Sequence, residues 1–305
     1  MSVGCRAVLN GPTLSVVVVF HNMRREARRT LFSLTPRYQI GVSADAYEVI
    51  AVDSGSSERL DPEEVAAFGP QFRYKFVHAP VPSPALALNQ AACDARGDVI
   101  MSVIDGARIL SPGILAKTFS AFRTYPEAFV LTLGLHLGSE IQQVSIERGY
   151  DQRVEDALLN TVAWREDGYE LFKISALAMS SGEGYRARLT ESNCTAVRAE
   201  NYWRLGGYDE CFATRGGGLV NHDLFNRAML DEALTPVMLL GEATFHQFHG
   251  GVSTNVRLED HPFAEFANEY RHIRGREYAP VFREPVYFGQ MVAQARHLLN
   301  EDRPS

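Results

Sequence analysis

The stretch LSVVVVF, residues 14–20, is apolar and β-branched almost without interruption. A strand with one wet face alternates apolar and polar residues. An unbroken run reads instead as a strand buried on both faces, as in a parallel sheet covered by helices. The pattern recurs in YEVIAVD (47–53) and DVIMSVI (98–104), while FRYKFVH (72–78) alternates and reads as a half-exposed strand. Helical stretches fall between them. Met23, Ala27, Leu31 and Leu34 recur at helical spacing, an acid-rich stretch runs to about Phe68, and SPALALNQAACDARG starts a helix near Pro84 that stops at Gly97. SPGILAKTFSAFRTYP follows, with Ile114, Leu115, Thr118, Phe119 and Phe122 on one face. Strand and helix thus alternate over residues 14–125, which implies right-handed crossovers and a mostly parallel sheet with helices on both faces. In such sheets ligands bind at the carboxyl ends of the strands. His21, Asn22, Asp53, Ser54 and Asp105 stand at those ends.

The second half is less regular. FVLTLGLHL (129–137), NCTAVR (193–198) and PVMLL (236–240) read as strands, AENYWRLGGYDE as a short helix ending at Gly206-Gly207, and NHDLFNRAMLDEAL as a longer helix. Residues 145–190 are polar and partly helical. Beyond residue 257, Phe263, Phe266, Tyr270 and Ile273 form an aromatic stripe that we read as core packing. The expected organisation is one continuous α/β unit, residues 1–256, with a helical C-terminal extension, 257–305, packed on it.

A net charge of −7 excludes an electrostatic footprint for nucleic acid. The one basic run, Arg24, Arg25, Arg28 and Arg29, reads as the solvated face of a helix. Cys5, Cys93, Cys194 and Cys211 are widely spaced, which suits reduced, buried thiols in a cytoplasmic protein. No apolar run approaches the length needed to cross a bilayer, and none before Pro12 suits a signal peptide. Peripheral membrane contact and self-association stay open. No GxGxxG follows the first strand, which weighs against a dinucleotide-dependent oxidoreductase.

SVVVVFHN, EVIAVDSGSS, ALNQAACDARGDVIMSVIDG, RLGGYDE and HDLFNRAM, in that order over residues 14–250, resemble the motif order of family 2 glycosyltransferases of the GT-A fold. The resemblance implies a transfer from a nucleotide-sugar, with a lean to uridine diphosphate, to the hydroxyl of a carbohydrate, lipid or small-molecule acceptor. It implies that Phe20, His21 and Asn22 border the base, that Asp53 hydrogen-bonds base or ribose, and that Asn89 faces the nucleotide. A carboxylate can accept from a uracil-type N–H or from ribose hydroxyls. The bland alternatives are that Asp53 shapes the turn at Ser54-Gly55, that Asn22 caps the following helix, and that Trp203, a candidate stacking platform for a sugar, belongs to the core.

Asp105 corresponds to the first acid of the family's Asp-x-Asp motif, and Ala107 stands where the second, metal-ligating acid is usual. One carboxylate is a poor anchor for Mg²⁺ or Mn²⁺. Two remedies are present. His246 or His249 of FHQFHGG resembles a downstream metal-ligating histidine, and imidazole suits Mn²⁺ better than Mg²⁺. Alternatively Arg108 or Arg215 neutralises the diphosphate directly. A separate zinc pair at His246 and His249 lacks supporting ligands. In GGGLVNHDLFNR, His222-Asp223 stands where inverting members carry Glu-Asp, so the resemblance makes Asp223 the general base, with His222 beside it. An Asp in a first helical turn also complements the helix dipole. A nucleotide-sugar-binding protein that has lost catalysis is the alternative, supported by the missing acid.

Overall fold

The computed structural model describes residues 13–186 and 188–299. The N-terminal stretch that carries Cys5 and the signal-peptide expectation lies outside the described residues. Strands β1 (Leu14–Phe20), β2 (Tyr47–Ser54), β3 (Phe72–Val77), β4 (Val99–Val103), β5 (Arg108–Leu110), β6 (Ala128–Leu137), β7 (Ser175–Leu177), β8 (Cys194–Arg198), β9 (Thr235–His246) and β10 (Val286–Gly289) form one sheet. Its order is β10-β9-β6-β8-β4-β1-β2-β3, with β5 on β9 and β7 on β6. The helices are α1 (Arg24–Phe32), α2 (Pro62–Ala66), α3 (Ala85–Cys93), α4 (Ile114–Thr124), α5 (Gln142–Ser145), α6 (Gln152–Leu159), α7 (Ala199–Arg204), α8 (Val220–Leu230) and α9 (Phe263–Arg274).

The valine run behaves as its composition demands. Val16, Val18 and Phe20 pack with Ala27 and Leu31 of α1 and Ile114, Leu115 and Phe122 of α4. Val17 and Val19 point the other way, toward Ala87, Leu88 and Ala91 of α3 and Leu224 and Phe225 of α8. Alternate side chains of one strand therefore feed two cores, and each buried valine contributes about 1.5–3 kcal/mol.

Parallel pairing sets the strand ends level. Phe20 lies opposite Asp53, and Val18 opposite Val103, so β1, β2 and β4 deliver residues 21–22, 53–58 and 105 to one edge. From the other side β8 runs antiparallel to β4, and its entry residue Asn193 accepts from Ile104 N at 3.2 Å. The long β9 ends beside both: His246 is the register partner of Arg108 on β5 and of His136 on β6. PVMLL and the Phe245-His246 start of FHQFHGG, expected as a strand and a separate segment, thus belong to one strand.

Several expectations yield to packing. Asn22 does not cap α1, whose N-cap Met23 makes no side-chain bond. Only half of the arginine run is a solvated face: Arg24 and Arg28 are exposed and pair with Glu64, while Arg25 and Arg29 turn inward onto Glu155 and Asp156 of α6. Cys194 is buried, but Cys93 and Cys211 are exposed. Phe266 and Tyr270 of the aromatic stripe are buried, whereas Phe263 is exposed. The C-terminal segment supplies α9 and also β10, a strand that joins β9 in parallel. Among the described residues no helix is long and apolar enough to cross a membrane.

Candidate metal and nucleotide site

One oxygen or nitrogen from each of Asp105, His246 and His249 lies within 4.8 Å of the others. Asp105 stands just past β4, in a tight turn. Its Oδ1 accepts from Ala107 N at 3.0 Å, and Thr30 Oγ1 donates to Gly106 O at 2.6 Å. Gly106 is required for close approach, since a Cβ there would lie 2.3 Å from Phe20 Cδ1 and 2.5 Å from Val19 O. Ala107 is fully buried in the apolar cluster behind the turn. An acid at 107 on this backbone would face that cluster, so Ala107 does not open room under a ligand.

Asp105 Oδ2 is 3.0 Å from His246 Nε2, Oδ1 is 3.8 Å from His249 Nε2, and the carboxylate side chain is 19% exposed. Burial favours its neutral acid, but His246, His249 and Arg108 outweigh burial and hold Asp105 well below the usual carboxylate range. Burial pushes His246 down to about 4, against the pull of Asp105. Burial thus favours the neutral imidazole at His246, while Asp105 beside it stays anionic.

Which nitrogen of His246 carries the proton follows from its partners. Gln142 Nε2 donates to His246 O at 3.1 Å, which turns Gln142 Oε1 toward His246 Nδ1 at 2.8 Å. An amide oxygen only accepts, so Nδ1 bears the hydrogen, and in the neutral imidazole Nε2 then presents a lone pair. A lone pair 3.0 Å from a carboxylate oxygen is repulsive unless a proton or cation lies between. Thr254 Oγ1, at 3.4 Å, is close enough for only a long bond to that nitrogen. Two imidazoles and one carboxylate fit a divalent cation that tolerates nitrogen ligands, such as Mn²⁺, better than Mg²⁺.

Arg108 is buried, its Nε 3.5 Å from Asp105 Oδ2 and without a hydrogen-bond partner. It lies behind Asp105, not in open space. Arg215 is exposed in the turn before α8.

The neighbouring rim is cross-braced by hydrogen bonds. Asn22, at φ 53°, accepts through Oδ1 from Ser57 N at 2.9 Å, Ser57 Oγ at 3.0 Å and Glu58 N at 3.1 Å. His21 Nδ1 is 2.7 Å from Ser54 O, and its ring is exposed. Asp53 is buried, and its two oxygens accept from Ser56 N at 3.1 Å and Leu60 N at 2.9 Å. It shapes the 53–60 loop. Phe20 is fully buried in the core and offers no ring to a base. Asn89 lies away from this edge. Its amide donates to Tyr208 O and Glu210 and accepts from Tyr202 OH and Tyr208 N, stapling α3 to residues 208–210. It lines an open cleft of about 440 Å³ with Asp209, Arg227 and Arg274, and none of the metal-site residues reaches that cleft. Trp203 is 43% exposed and not in the core.

His222 and Asp223 diverge on α8. Asp223 is buried. Arg274 Nε donates to its Oδ1 at 2.6 Å, Arg274 Nη2 to Oδ2 at 2.7 Å, and Arg227 Nε to Oδ2 at 2.8 Å. His222 instead has Nδ1 buried without a hydrogen bond, 3.6 Å from Glu191 Oε2, with its side chain 23% exposed. Glu191 is held by Asn221 Nδ2 at 2.8 Å and Asn193 Nδ2 at 3.4 Å. Burial favours its neutral acid, but His222, Asn221 and Arg108 outweigh that and keep it below the usual carboxylate range. Glu191 carries no sequence signal. Only its position two residues before Asn193, which pairs beside Ile104, brings it to this edge.

Residues 15–166 match the model of the family described as glycosyl transferase family 2. Among solved structures, S. aureus TarS 1-349 in complex with UDP matches at 14% identity and a TM-score of 0.53, over 85% of this chain and 65% of that one. S. aureus TarS matches at 13% identity and a TM-score of 0.50, over 86% of this chain and 39% of that one. This chain thus spans less than two thirds of either, and the likeness is one of fold: a mostly parallel GT-A-type sheet with helices and a helical C-terminal segment. Among curated proteins none matches the chain in sequence.

Proposed function

The chain belongs to glycosyl transferase family 2 through residues 15–166, and from that premise we propose that it moves a sugar from a nucleotide-sugar, with a uridine diphosphate leaving group, to an acceptor hydroxyl. The observation that carries this reading is the convergence of Asp105, His246 and His249 at the carboxyl edge of the sheet. A divalent cation bound there would neutralise charge developing on the leaving diphosphate. The half-buried, anionic Asp105 and the lone pair of neutral His246 are what the chain contributes to holding it. Uridine is supported by the motif order and by the UDP complex of TarS.

The chain's own residues divide the remaining work. His21, Asn22 and residues 54–58 form a braced rim against which a base can lie without reordering the loop. Asp53 holds that rim from behind. Domain division follows the same logic: residues 1–256 carry the site, and 257–305 brace α8 through Arg274. For the acceptor proton, His222 is better suited than Asp223. A base must reach the acceptor hydroxyl, and Asp223 is buried with three of its lone pairs accepting from two guanidiniums. If His222 donates Nδ1–H to Glu191, Nε2 is left to take the acceptor proton as the hydroxyl attacks the anomeric carbon in line, which inverts it.

The second reading, a nucleotide-sugar-binding protein without turnover, is favoured by the locked Asp223 and by Ala107. Donor turnover in Mn²⁺ separates the two. Release of uridine diphosphate from a UDP-sugar panel that is lost in His222→Gln supports transfer, whereas binding with no release supports the second reading.

A further inference from the structure

We infer that Gln142 and Asn255 act as a positioning pair that commits His246 to the tautomer a cation requires and delivers His249 beside it. The inference rests on the proposed cation site and goes beyond it, because neither amide touches the three candidate ligand atoms.

The assignment is forced from one end. Asn255 Oδ1 faces three backbone N–H groups, of His249 at 3.1 Å, Gly250 at 2.9 Å and Gly251 at 3.0 Å. That oxygen must be the acceptor, so Asn255 Nδ2 is the donor, and it reaches Gln142 Oε1 at 2.8 Å. Gln142 Nε2 independently donates to His246 O at 3.1 Å. Both partners therefore agree on which end of the Gln142 amide is oxygen. With its acceptor end on His246 Nδ1, that nitrogen must bear the hydrogen, and the neutral imidazole then has a single tautomer, with its lone pair on Nε2. Gln142 is fully buried, so water cannot substitute for it.

The same pair sets the second imidazole. Asn255 closes the turn 249–251 that brings His249 Nε2 to 3.8 Å from Asp105 Oδ1. Gly251 leaves space for that ring, since a Cβ there would lie 2.8 Å from His249 Nε2. Gln142 N also donates to His136 Nδ1 at 2.9 Å, which anchors the start of α5 to β6 beside His246. Partners of this kind typically change metal affinity about 10–100-fold when removed.

The test uses the full chain. Mn²⁺ is titrated in the presence of uridine diphosphate, with free Mn²⁺ read by electron paramagnetic resonance. Histidine tautomers of the metal-free protein are read by ¹⁵N resonance. The native chain should show His246 with hydrogen on Nδ1. Gln142→Leu should move that hydrogen to Nε2 and weaken Mn²⁺ about 10–100-fold, and Gln142→Glu, which keeps an acceptor, should restore the tautomer and most of the affinity. An unchanged Mn²⁺ affinity in Gln142→Leu, or hydrogen on Nε2 in the native chain, overturns the inference. If Gln142→Leu does not fold, the native tautomer and the Gln142→Glu titration still decide. Failure of the native chain to bind Mn²⁺ would instead overturn the cation site, while the tautomer would still report on Gln142.

Discussion

Asp223→Asn separates a structural carboxylate from a catalytic one. In the native fold Asp223 accepts three charge-assisted hydrogen bonds, two from Arg274 of α9 and one from Arg227 of α8. Breaking a fully buried ion pair costs about 3–5 kcal/mol. Here the two guanidiniums are about one-quarter exposed, so water can recover part of their solvation, and the amide still accepts one bond. We therefore expect a loss of about 2–3 kcal/mol, which corresponds to roughly 3–5 °C in Tm for a chain of this size. Turnover measured well below the new Tm should stay within about tenfold of native. His222→Gln should behave oppositely, with Tm nearly unchanged and kcat down about 10²–10⁴-fold. Differential scanning fluorimetry beside a UDP-release assay reads both. An Asp223→Asn protein that melts with the native chain yet has lost nearly all turnover would refute this division and return the base to Asp223.

Gly106→Ala forces a Cβ against Phe20 and the Val19 carbonyl; strand backbone cannot yield cheaply, so urea denaturation should show a loss of about 1–3 kcal/mol or more, with Mn²⁺ binding weakened through Asp105. Glu155 gives a pH signature: burial raises it to about 7, although Phe248 N–H, Arg25 and Arg29 pull the other way. Between about 4.5 and 7 the folded state then holds a proton that the unfolded chain has released, so this group's contribution to stability falls as pH rises. Glu155→Gln should flatten that part of the Tm-against-pH curve; an identical slope in both proteins would count against it. Asn22→Ala removes an acceptor for three donors from residues 57 and 58, so it should weaken uridine diphosphate about tenfold through disorder of the rim, as read by calorimetry; full affinity would detach the rim from the nucleotide.

The first half of the fold was legible because burial on both faces writes itself into β1, β2 and β4 as apolar runs, and parallel pairing then fixes which residues share an edge. Asp105 could be placed at that edge from sequence alone. His246 and His249 required the resemblance, because the pairing of β9 with β5 and β6 spans more than a hundred residues. The three-residue β5 and the late β10 are too short to show periodicity. Residue roles at the strand ends were harder. A carboxylate that binds ribose and one that ties down a loop, as Asp53 does, have the same sequence appearance. Phe20 was misjudged by position: Gly106 leaves a gap that its ring fills. Asp223 has its partner Arg274 in α9, 51 residues away, and Gln142, Asn255 and Glu191 gain their meaning only from hydrogen-bond geometry.

The central claim is a diphosphate site completed by a cation at Asp105, His246 and His249. Calorimetric titration of uridine diphosphate into the native chain, with Mn²⁺ and then with EDTA, tests it most directly, alongside His246→Ala. The account predicts binding that strengthens at least about tenfold with Mn²⁺, a gain absent in EDTA and in His246→Ala. Equal affinity in all four conditions would contradict it and leave the buried Arg108 to supply the positive charge beside Asp105.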